Sequence, residues 1–285
     1  MALADSTAAH RGGETDVLAR LLACTHTPVM GILNVTPDSF SDGGRFLDPE
    51  SAVAQAQRLV AEGADVIDIG AESSRPYVGA VAVPDEEEIA RLAPVLARIT
   101  SLGVPVSIDS MKARVVEWAL RHGATIVNDV WGLQRDPDMA GVVAEHGAPV
   151  VIMHNRAKAD PRIDIMGDIQ AFLNRSLDAA AHAGIPPERI VLDPGIGFGK
   201  TPQQSIETLA NFERLTVFGL PLLIGASRKR FIDSVSPAPP DQRLGGSIAA
   251  HLLAVMKGAA IVRAHDVAET VQALRVAAAI RNANV

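Results

Sequence analysis

PVMGILNV, residues 28–35, is the first of eight short apolar runs along the chain. Each run is continuously hydrophobic rather than alternating, as expected for a strand that is buried on both faces. The other seven runs are DVIDIG (65–70), PVSIDS (105–110), TIVNDV (125–130), PVVIMH (149–154), RIVLDP (189–194), PLLIGAS (221–227) and AIVRAHDV (260–267). Longer amphipathic stretches separate them, and several end in a glycine typical of a helix C-terminus.

Eight successive β-then-α units predict a single-domain α/β protein with the (β/α)8 TIM-barrel fold; a doubly wound open sheet is the alternative. We assign the barrel to residues 27–285. Residues 1–26 begin polar and aperiodic, so we expect them to form a loosely ordered N-terminal tail.

The composition narrows the functional class. The chain has 285 residues, a length that is normal for one barrel, and 48% of them are hydrophobic. A net charge of −7 argues against a nucleic-acid-binding protein, which normally carries a basic face. Cys24 is the single cysteine, and no run of about 20 uninterrupted apolar residues occurs. We therefore expect a cytoplasmic protein that binds neither nucleic acid nor membranes.

Polar residues end nearly every predicted strand, which is where the catalytic groups of a barrel gather. They are Asn34, Asp68, Asp109, Asn128, His154, Asp193, Ser227, Arg263 and His265. A single aspartate after a strand is more often a helix cap or a turn former, but here eight strand ends converge on one mouth. Carboxylates and amides come from strands three, four and six, whereas cations come from strands seven and eight. This distribution predicts a small-molecule ligand with a donor-rich head and an anionic tail.

SRKR, residues 227–230, places three cations at the start of a predicted helix. Cations there oppose the helix dipole, so we expect a bound anion nearby.

LDPGIGFGKT, residues 192–201, superficially resembles a phosphate-binding loop. The first glycine of a nucleotide-triphosphate loop would fall on Pro194, and the third glycine of a dinucleotide loop would fall on Lys200. We therefore predict a tight turn at the substrate mouth that brings the backbone or Phe198 close to a ligand.

Together these motifs closely resemble the bacterial dihydropteroate synthase family, from about residue 28 to about residue 280. The matching segments are GILNVTPDSFSDGG (31–44), ESSRP (72–76), SIDS (107–110), NDV (128–130), MH (153–154), LDPGIGFGK (192–200), GASRKRF (225–231) and VRAHDV (262–267). The resemblance implies a barrel enzyme of folate biosynthesis, usually a homodimer, that uses Mg²⁺ and is a sulfonamide target. Such an enzyme joins 6-hydroxymethyl-7,8-dihydropterin diphosphate to p-aminobenzoate and releases diphosphate.

The resemblance also implies a role for each matching residue. The pterin would contact Asp109, Asn128, Asp193 and Lys229, and the diphosphate would contact Asn34, Arg263 and His265. Asn34 would also lie beside Mg²⁺. The p-aminobenzoate site would use Ser74, Arg75, Pro76, Phe198 and Lys229, in part from two long loops that close over the mouth. The catalytic residues would be Asp109, Lys229, Arg263 and His265, in a dissociative mechanism in which Asp109 stabilises a pterin-methyl cation.

Two alternatives share the pterin pocket: a non-catalytic pterin-binding paralogue and a pterin-dependent methyltransferase module. The first is supported by GAESSRP, in which Ala71 and Ser74 depart from the usual Gly-Gly-Glu-Ser-Thr-Arg-Pro. The anion-binding pair Arg263 and His265 argues against the second, which has no diphosphate to hold. His154 is compatible with simple packing or with a role near the pterin.

Overall fold

A computed structural model describes residues 17–36, 48–72 and 83–283. Eight parallel strands close into a barrel in sequential order, each overlapping one of the predicted apolar runs. They are β1 (Val29–Asn34), β2 (Val66–Gly70), β3 (Val106–Asp109), β4 (Ile126–Asp129), β5 (Val150–Met153), β6 (Ile190–Asp193), β7 (Leu222–Ile224) and β8 (Ala259–Ala264). The (β/α)8 prediction is confirmed, and the open-sheet alternative is wrong because β1 pairs with β8.

Eleven α-helices lie within the described ranges. They are α1 (Val17–Leu22), α2 (Pro49–Ala61), α3 (Asp85–Leu92), α4 (Leu96–Thr100), α5 (Ala113–Arg121), α6 (Met139–His146), α7 (Ile165–Ala183), α8 (Pro202–Ala210), α9 (Arg230–Val235), α10 (Leu244–Met256) and α11 (Val267–Asn282). Side-chain caps start several of them: Asp164 accepts from two amides at the start of α7, and Gly184 ends that helix in a left-handed conformation. No helix in the described part of the chain is both long and apolar enough to cross a membrane.

Helix α1 closes the N-terminal end of the barrel. Leu18 and Leu21 are buried, and they pack in one cluster with strand residues that include Met30, Val66 and Ile261. The prediction of a loose tail over residues 1–26 is therefore wrong for residues 17–22. Two leucines at i and i+3 give this short helix one apolar face, and the end of the barrel interior buries it.

Candidate active site

The carboxyl ends of the strands bring the predicted polar residues to one mouth. Asp109 and Asn128 are paired in the register of β3 and β4, and Asp193 ends β6. Arg263 lies on β8, and Asn34 is the exposed last residue of β1. Sequentially distant side chains thus surround a single opening, as the barrel topology predicts.

Arg263 organises the carboxylates of this mouth. Its Nε donates to Asp68 Oδ2 at 2.6 Å, and its Nη2 donates to Asp109 Oδ2 at 2.6 Å. Asn128 Nδ2 also donates to Asp68 Oδ2, at 3.1 Å. Although burial alone would lower the pKa of Arg263, Asp68 and Asp109 raise it above its usual value. Burial raises the pKa of Asp109 to about 7, with Arg263 opposing the shift and Asp68 adding to it.

Asp193 immediately precedes residues 194–199, which we call the glycine loop. Its Oδ1 accepts the amide hydrogen of Gly195 at 2.7 Å, and burial raises its pKa even though Lys229 opposes the shift. Gly195, Gly197 and Gly199 all have positive φ, at 66°, 81° and 55°. A Cβ on Gly195 would lie 1.9 Å from the carbonyl oxygen of His154. The predicted tight turn is confirmed, and both its left-handed backbone and its close contacts require glycine.

Lys229 and Phe198 meet beside this loop. The ammonium group of Lys229 lies 4.3 Å from the centre of the Phe198 ring and donates to the carbonyl oxygen of Ile196. Phe198 also belongs to a small apolar cluster at the mouth, which we call the mouth cluster. Its members are Val130, Met153 and Phe198, with Met111 and Trp131 packed against them. An aromatic face beside a cation suits a flat, partly anionic ligand.

Arg228 pairs with a carboxylate of the chain itself. It has a φ of 57°, and its guanidinium forms an ion pair with Asp266, with Nε donating to Oδ2 at 3.0 Å. Arg230 is exposed to solvent. Asp266 therefore neutralises Arg228 within the chain, and the bound anion expected near SRKR stays a prediction.

His265 and His154 occupy different environments. His265 Nδ1 lies 3.0 Å from Ser227 Oγ, so β8 and the end of β7 are joined at the mouth. His154 is fully buried, with Nε2 3.0 Å from Asp168 Oδ2 and Nδ1 2.6 Å from Lys200 Nζ. Burial first, and then Lys200, lower the pKa of His154 to about 3. His154 therefore lies in a buried hydrogen-bonded network beneath the glycine loop rather than in simple apolar packing.

Comparison with known proteins shows which family the chain belongs to. Residues 30–265 match the family model described as "Pterin binding enzyme". Dihydropteroate synthase of Bacillus subtilis is 45% identical over 257 residues, covering 90% of this chain and 89% of that protein. The chain belongs to the dihydropteroate synthase family. The resemblance drawn from the motifs, and with it the prediction of an enzyme, is confirmed.

Solved structures of the dihydropteroate synthase family support the same placement. A Xanthomonas albilineans dihydropteroate synthase with 4-aminobenzoic acid superposes with a TM-score of 0.86 at 46% identity, covering 90% of this chain and 94% of that one. The same organism's enzyme in complex with 7,8-dihydropteroate gives a TM-score of 0.82 at 43% identity, with the same coverage.

In this member of the family, the predicted p-aminobenzoate residues Ser74, Arg75 and Pro76 lie outside the described residues. The two ends of their loop are nevertheless tied together. The amide of Val83 donates to Glu72 Oε1 at 3.1 Å, and Lys112 Nζ lies 2.7 Å from Glu72 Oε2. Lys112 also donates to the fully buried Glu88 at 2.7 Å and to the carbonyl oxygen of Val83.

The residues described at the mouth fit a magnesium ion that is held mainly by its substrate. Asn34 offers a neutral oxygen, whereas Asp68 and Asp109 are already paired with Arg263. Within the described ranges, the sole group of three His, Cys, Asp or Glu residues close enough to share an ion is Cys24, His26 and Asp65. That group lies at the opposite end of the barrel, since Asp65 immediately precedes β2. Mg²⁺ characteristically keeps waters and binds substrate phosphates, so a single protein oxygen is compatible with it.

Three residues that the sequence did not assign support this mouth: Asp68 within it, Lys112 at the ends of the second loop and Lys200 beneath the glycine loop. Asp68 was recognisable as a polar strand end, but its role as the shared partner of Arg263 and Asn128 depends on the closed barrel. Lys112 and Lys200 carried no signal that separated them from other lysines near loops.

Proposed function

We propose that this chain condenses 6-hydroxymethyl-7,8-dihydropterin diphosphate with p-aminobenzoate, forming 7,8-dihydropteroate and diphosphate. The observation that carries the proposal is one barrel mouth in which Asp109, Asn128 and Asp193 lie beside Lys229 and Arg263, in a chain of the dihydropteroate synthase family. A pterin has a donor-rich edge and a diphosphate is anionic, so the two substrate ends match the two kinds of side chain.

The pterin is assigned to Asp193, Asn128 and Lys229. Asp193 uses Oδ1 for the Gly195 amide, which leaves Oδ2 to accept from the amino-pyrimidinone edge. Asn128 uses its amide nitrogen for Asp68, so its oxygen is the atom available to a pterin N–H. Lys229 can transfer a hydrogen bond from the Ile196 carbonyl to the ring carbonyl of the pterin.

The reaction proceeds by departure of the diphosphate before the arylamine attacks. The C–O bond to diphosphate breaks with its electron pair on oxygen and leaves a pterin-methyl cation. Asp109, ionised beside Arg263, stabilises that positive charge. The amine nitrogen then forms the C–N bond and loses its proton, which needs no strong base. The mouth cluster around Phe198 shields the cation from water.

The diphosphate is assigned to Asn34, Arg263 and His265. Because Nε and Nη2 of Arg263 donate to the carboxylates of Asp68 and Asp109, its Nη1 is the group that can donate to a phosphate oxygen. Asn34 would hold a bound Mg²⁺, which supplies charge neutralisation for the leaving diphosphate. His265 lies at the same end of β8, oriented by Ser227.

The p-aminobenzoate ring is assigned to Phe198 and Lys229, together with Ser74, Arg75 and Pro76 of the second loop. A sulfonamide would compete for this part of the mouth. We also propose a cytoplasmic location and a homodimer. The homodimer is supported by large apolar side chains that α10 and α11 expose. These are Leu253, Met256, Val276 and Ile280, which are 53–77% exposed.

The test combines the pterin diphosphate, p-aminobenzoate and Mg²⁺ and follows diphosphate release together with dihydropteroate formation. Both should rise in equal amounts and stop when Mg²⁺ is chelated. Asp193→Asn should abolish pterin binding, as measured by calorimetry. Asp65→Asn is the matched control, because Asp65 also accepts a backbone amide, from Val29, but at the other end of the barrel.

Binding of the pterin diphosphate without dihydropteroate would instead establish a non-catalytic pterin-binding paralogue. Diphosphate release without p-aminobenzoate consumption would show hydrolysis rather than condensation.

A further inference from the structure

Lys200 lies beneath the glycine loop rather than in the mouth. It is 7% exposed, and its Nζ contacts three acceptors within the protein. These are His154 Nδ1 at 2.6 Å, the Gly195 carbonyl oxygen at 2.8 Å and the Phe198 carbonyl oxygen at 3.2 Å. An ammonium group has three N–H donors, so these contacts use all of them and none remains for a phosphate.

The partners of His154 fix the direction of its contact with Lys200. Asp168 pairs with Arg156 at 2.7 Å and can only accept from His154, so Nε2 carries the ring proton. Nδ1 of a neutral ring is then an acceptor, and Lys200 must donate to it. The chain Lys200–His154–Asp168 therefore runs in one direction, from the glycine loop to helix α7.

The loop carbonyls show what this chain of hydrogen bonds achieves. The left-handed Gly195 and the neighbouring turn direct the Gly195 and Phe198 carbonyls toward Lys200. The Ile196 carbonyl and the Phe198 ring lie instead against Lys229. A lysine on the buried side of the loop thus determines which groups the loop presents on its other side.

We propose that Lys200 is a positioning residue for the arylamine substrate, because it fixes the loop 194–199 so that Phe198 stays against Lys229. This rests on the proposed function, in which those two side chains form part of the p-aminobenzoate site. The pterin residues depend less on Lys200, because Asp193 belongs to β6, whose backbone pairs with β5, and Lys229 immediately precedes α9, outside the loop.

The test is Lys200→Met, which keeps the length of the side chain and removes its donors. The KM for p-aminobenzoate should rise about tenfold, whereas the Kd for the pterin diphosphate and for free diphosphate should change by no more than about twofold. Lys257→Met is the matched control: Lys257 also donates to a backbone carbonyl, that of Ala210, but outside the mouth. It should leave all three constants unchanged.

A second measurement tests the hydrogen bonds between Lys200, His154 and Asp168 without enzymatic turnover. In ¹⁵N-histidine NMR spectra, His154 of the wild-type protein should be a neutral ring with its proton on Nε2. In Lys200→Met, the ring should protonate at higher pH, because burial and Lys200 together hold its pKa to about 3.

The results separate three outcomes. A tenfold weaker Kd for free diphosphate would overturn the proposal, since Lys200 would then be an anion ligand. An unchanged KM in folded Lys200→Met would also overturn it, because the lysine would merely fill space.

If the wild-type protein makes no dihydropteroate, the proposed function fails. Weaker binding of p-aminobenzoate to Lys200→Met in the presence of pterin and diphosphate would then still support the positioning role, and equal binding would overturn it.

A variant pair covers the case in which Lys200→Met fails to fold. His154→Gln retains an acceptor for Lys200, and His154→Leu does not. The leucine variant should raise the KM for p-aminobenzoate by about threefold relative to the glutamine variant. Equal KM values would overturn the proposal.

Discussion

Arg263 on β8 donates to Asp109 on β3 at 2.6 Å and so joins two strands across the barrel mouth. The same guanidinium holds the buried Asp68, so one cation serves two carboxylates. Two carboxylates that share one cation cannot both be fully compensated in a buried site. The pKa of Asp109 is accordingly raised to about 7, mainly by burial.

The protonation of Asp109 should control activity. A carboxylate that stabilises a cation must be ionised, so kcat/KM for the pterin diphosphate should increase as pH rises through about 7. Asp109→Asn should lower kcat about 100-fold and remove that acidic limb. Initial rates measured from pH 5 to pH 9 check both effects.

Ser107→Ala is the control for Asp109. Ser107 lies two residues earlier on β3, and its buried hydroxyl has no hydrogen-bond partner among the described residues. This variant should keep the wild-type rate and pH profile. A wild-type profile that is flat between pH 5 and pH 8 would contradict the role given to Asp109.

The glycine loop offers a test of backbone geometry. Gly195 and Gly219 have nearly equal φ values, 66° and 64°. A Cβ on Gly195 would clash with the His154 carbonyl, whereas a Cβ on Gly219 would meet no described atom within 4 Å. Gly219→Ala should therefore reduce the free energy of unfolding by about 1 kcal/mol, from backbone strain alone. Gly195→Ala should reduce it by at least about 2 kcal/mol more, and it should weaken pterin binding because it displaces the Gly195 amide that donates to Asp193 Oδ1.

Urea unfolding and calorimetry with the pterin diphosphate check this pair of alanine variants. Equal losses of stability would mean that the loop can move away from His154, and that its position is not fixed as described.

Much of the mouth could be predicted because barrel strands place their last residues at one end. Asp109, Asn128, Asp193 and Arg263 followed from that rule and from short motifs. The pairing of Asp109 with Arg263 could not, because 154 residues separate them and only the closed barrel brings them together. The charge of Arg228 was likewise recognisable in the sequence, but its neutralisation by Asp266 depends on how two loops pack.

The short helix α1 was missed for a different reason. The six described residues of α1 are too few to give a reliable helical period, and most helical stability in proteins comes from tertiary packing rather than from propensity. Its stability comes from the barrel end that it covers, which a local sequence window does not contain.

Leucines of α1 should consequently contribute to stability as core residues do. Leu18 is 2% exposed and Leu22 is 39% exposed. Leu18→Ala should reduce the free energy of unfolding by about 2–4 kcal/mol through lost burial and a cavity, whereas Leu22→Ala should cost less than about 1 kcal/mol. Urea unfolding of the full chain measures both. Equal small effects would show that α1 does not pack against the barrel in solution.

Lys112 should be more important for stability than its position beside a loop suggests. Glu88 is fully buried, and Lys112 forms an ion pair with it at 2.7 Å. Burial raises the pKa of Glu88, and Lys112 opposes that shift. Lys112→Met would leave the carboxylate buried without its cation, which should cost about 3–5 kcal/mol at neutral pH.

The exposed pair Arg114 and Glu86 provides the control for Lys112. Both side chains are more than 60% exposed, so Glu86→Gln should change the free energy of unfolding by less than about 1 kcal/mol. Adding Glu88→Gln to Lys112→Met should recover part of the lost stability, because a neutral amide is cheaper to bury than a carboxylate. Urea unfolding at pH 7 of Lys112→Met, of Glu86→Gln and of the double variant Lys112→Met/Glu88→Gln measures these differences. If the double variant is no more stable than Lys112→Met, the loss comes from the broken contacts to Glu72 and Val83 rather than from an uncompensated charge on Glu88.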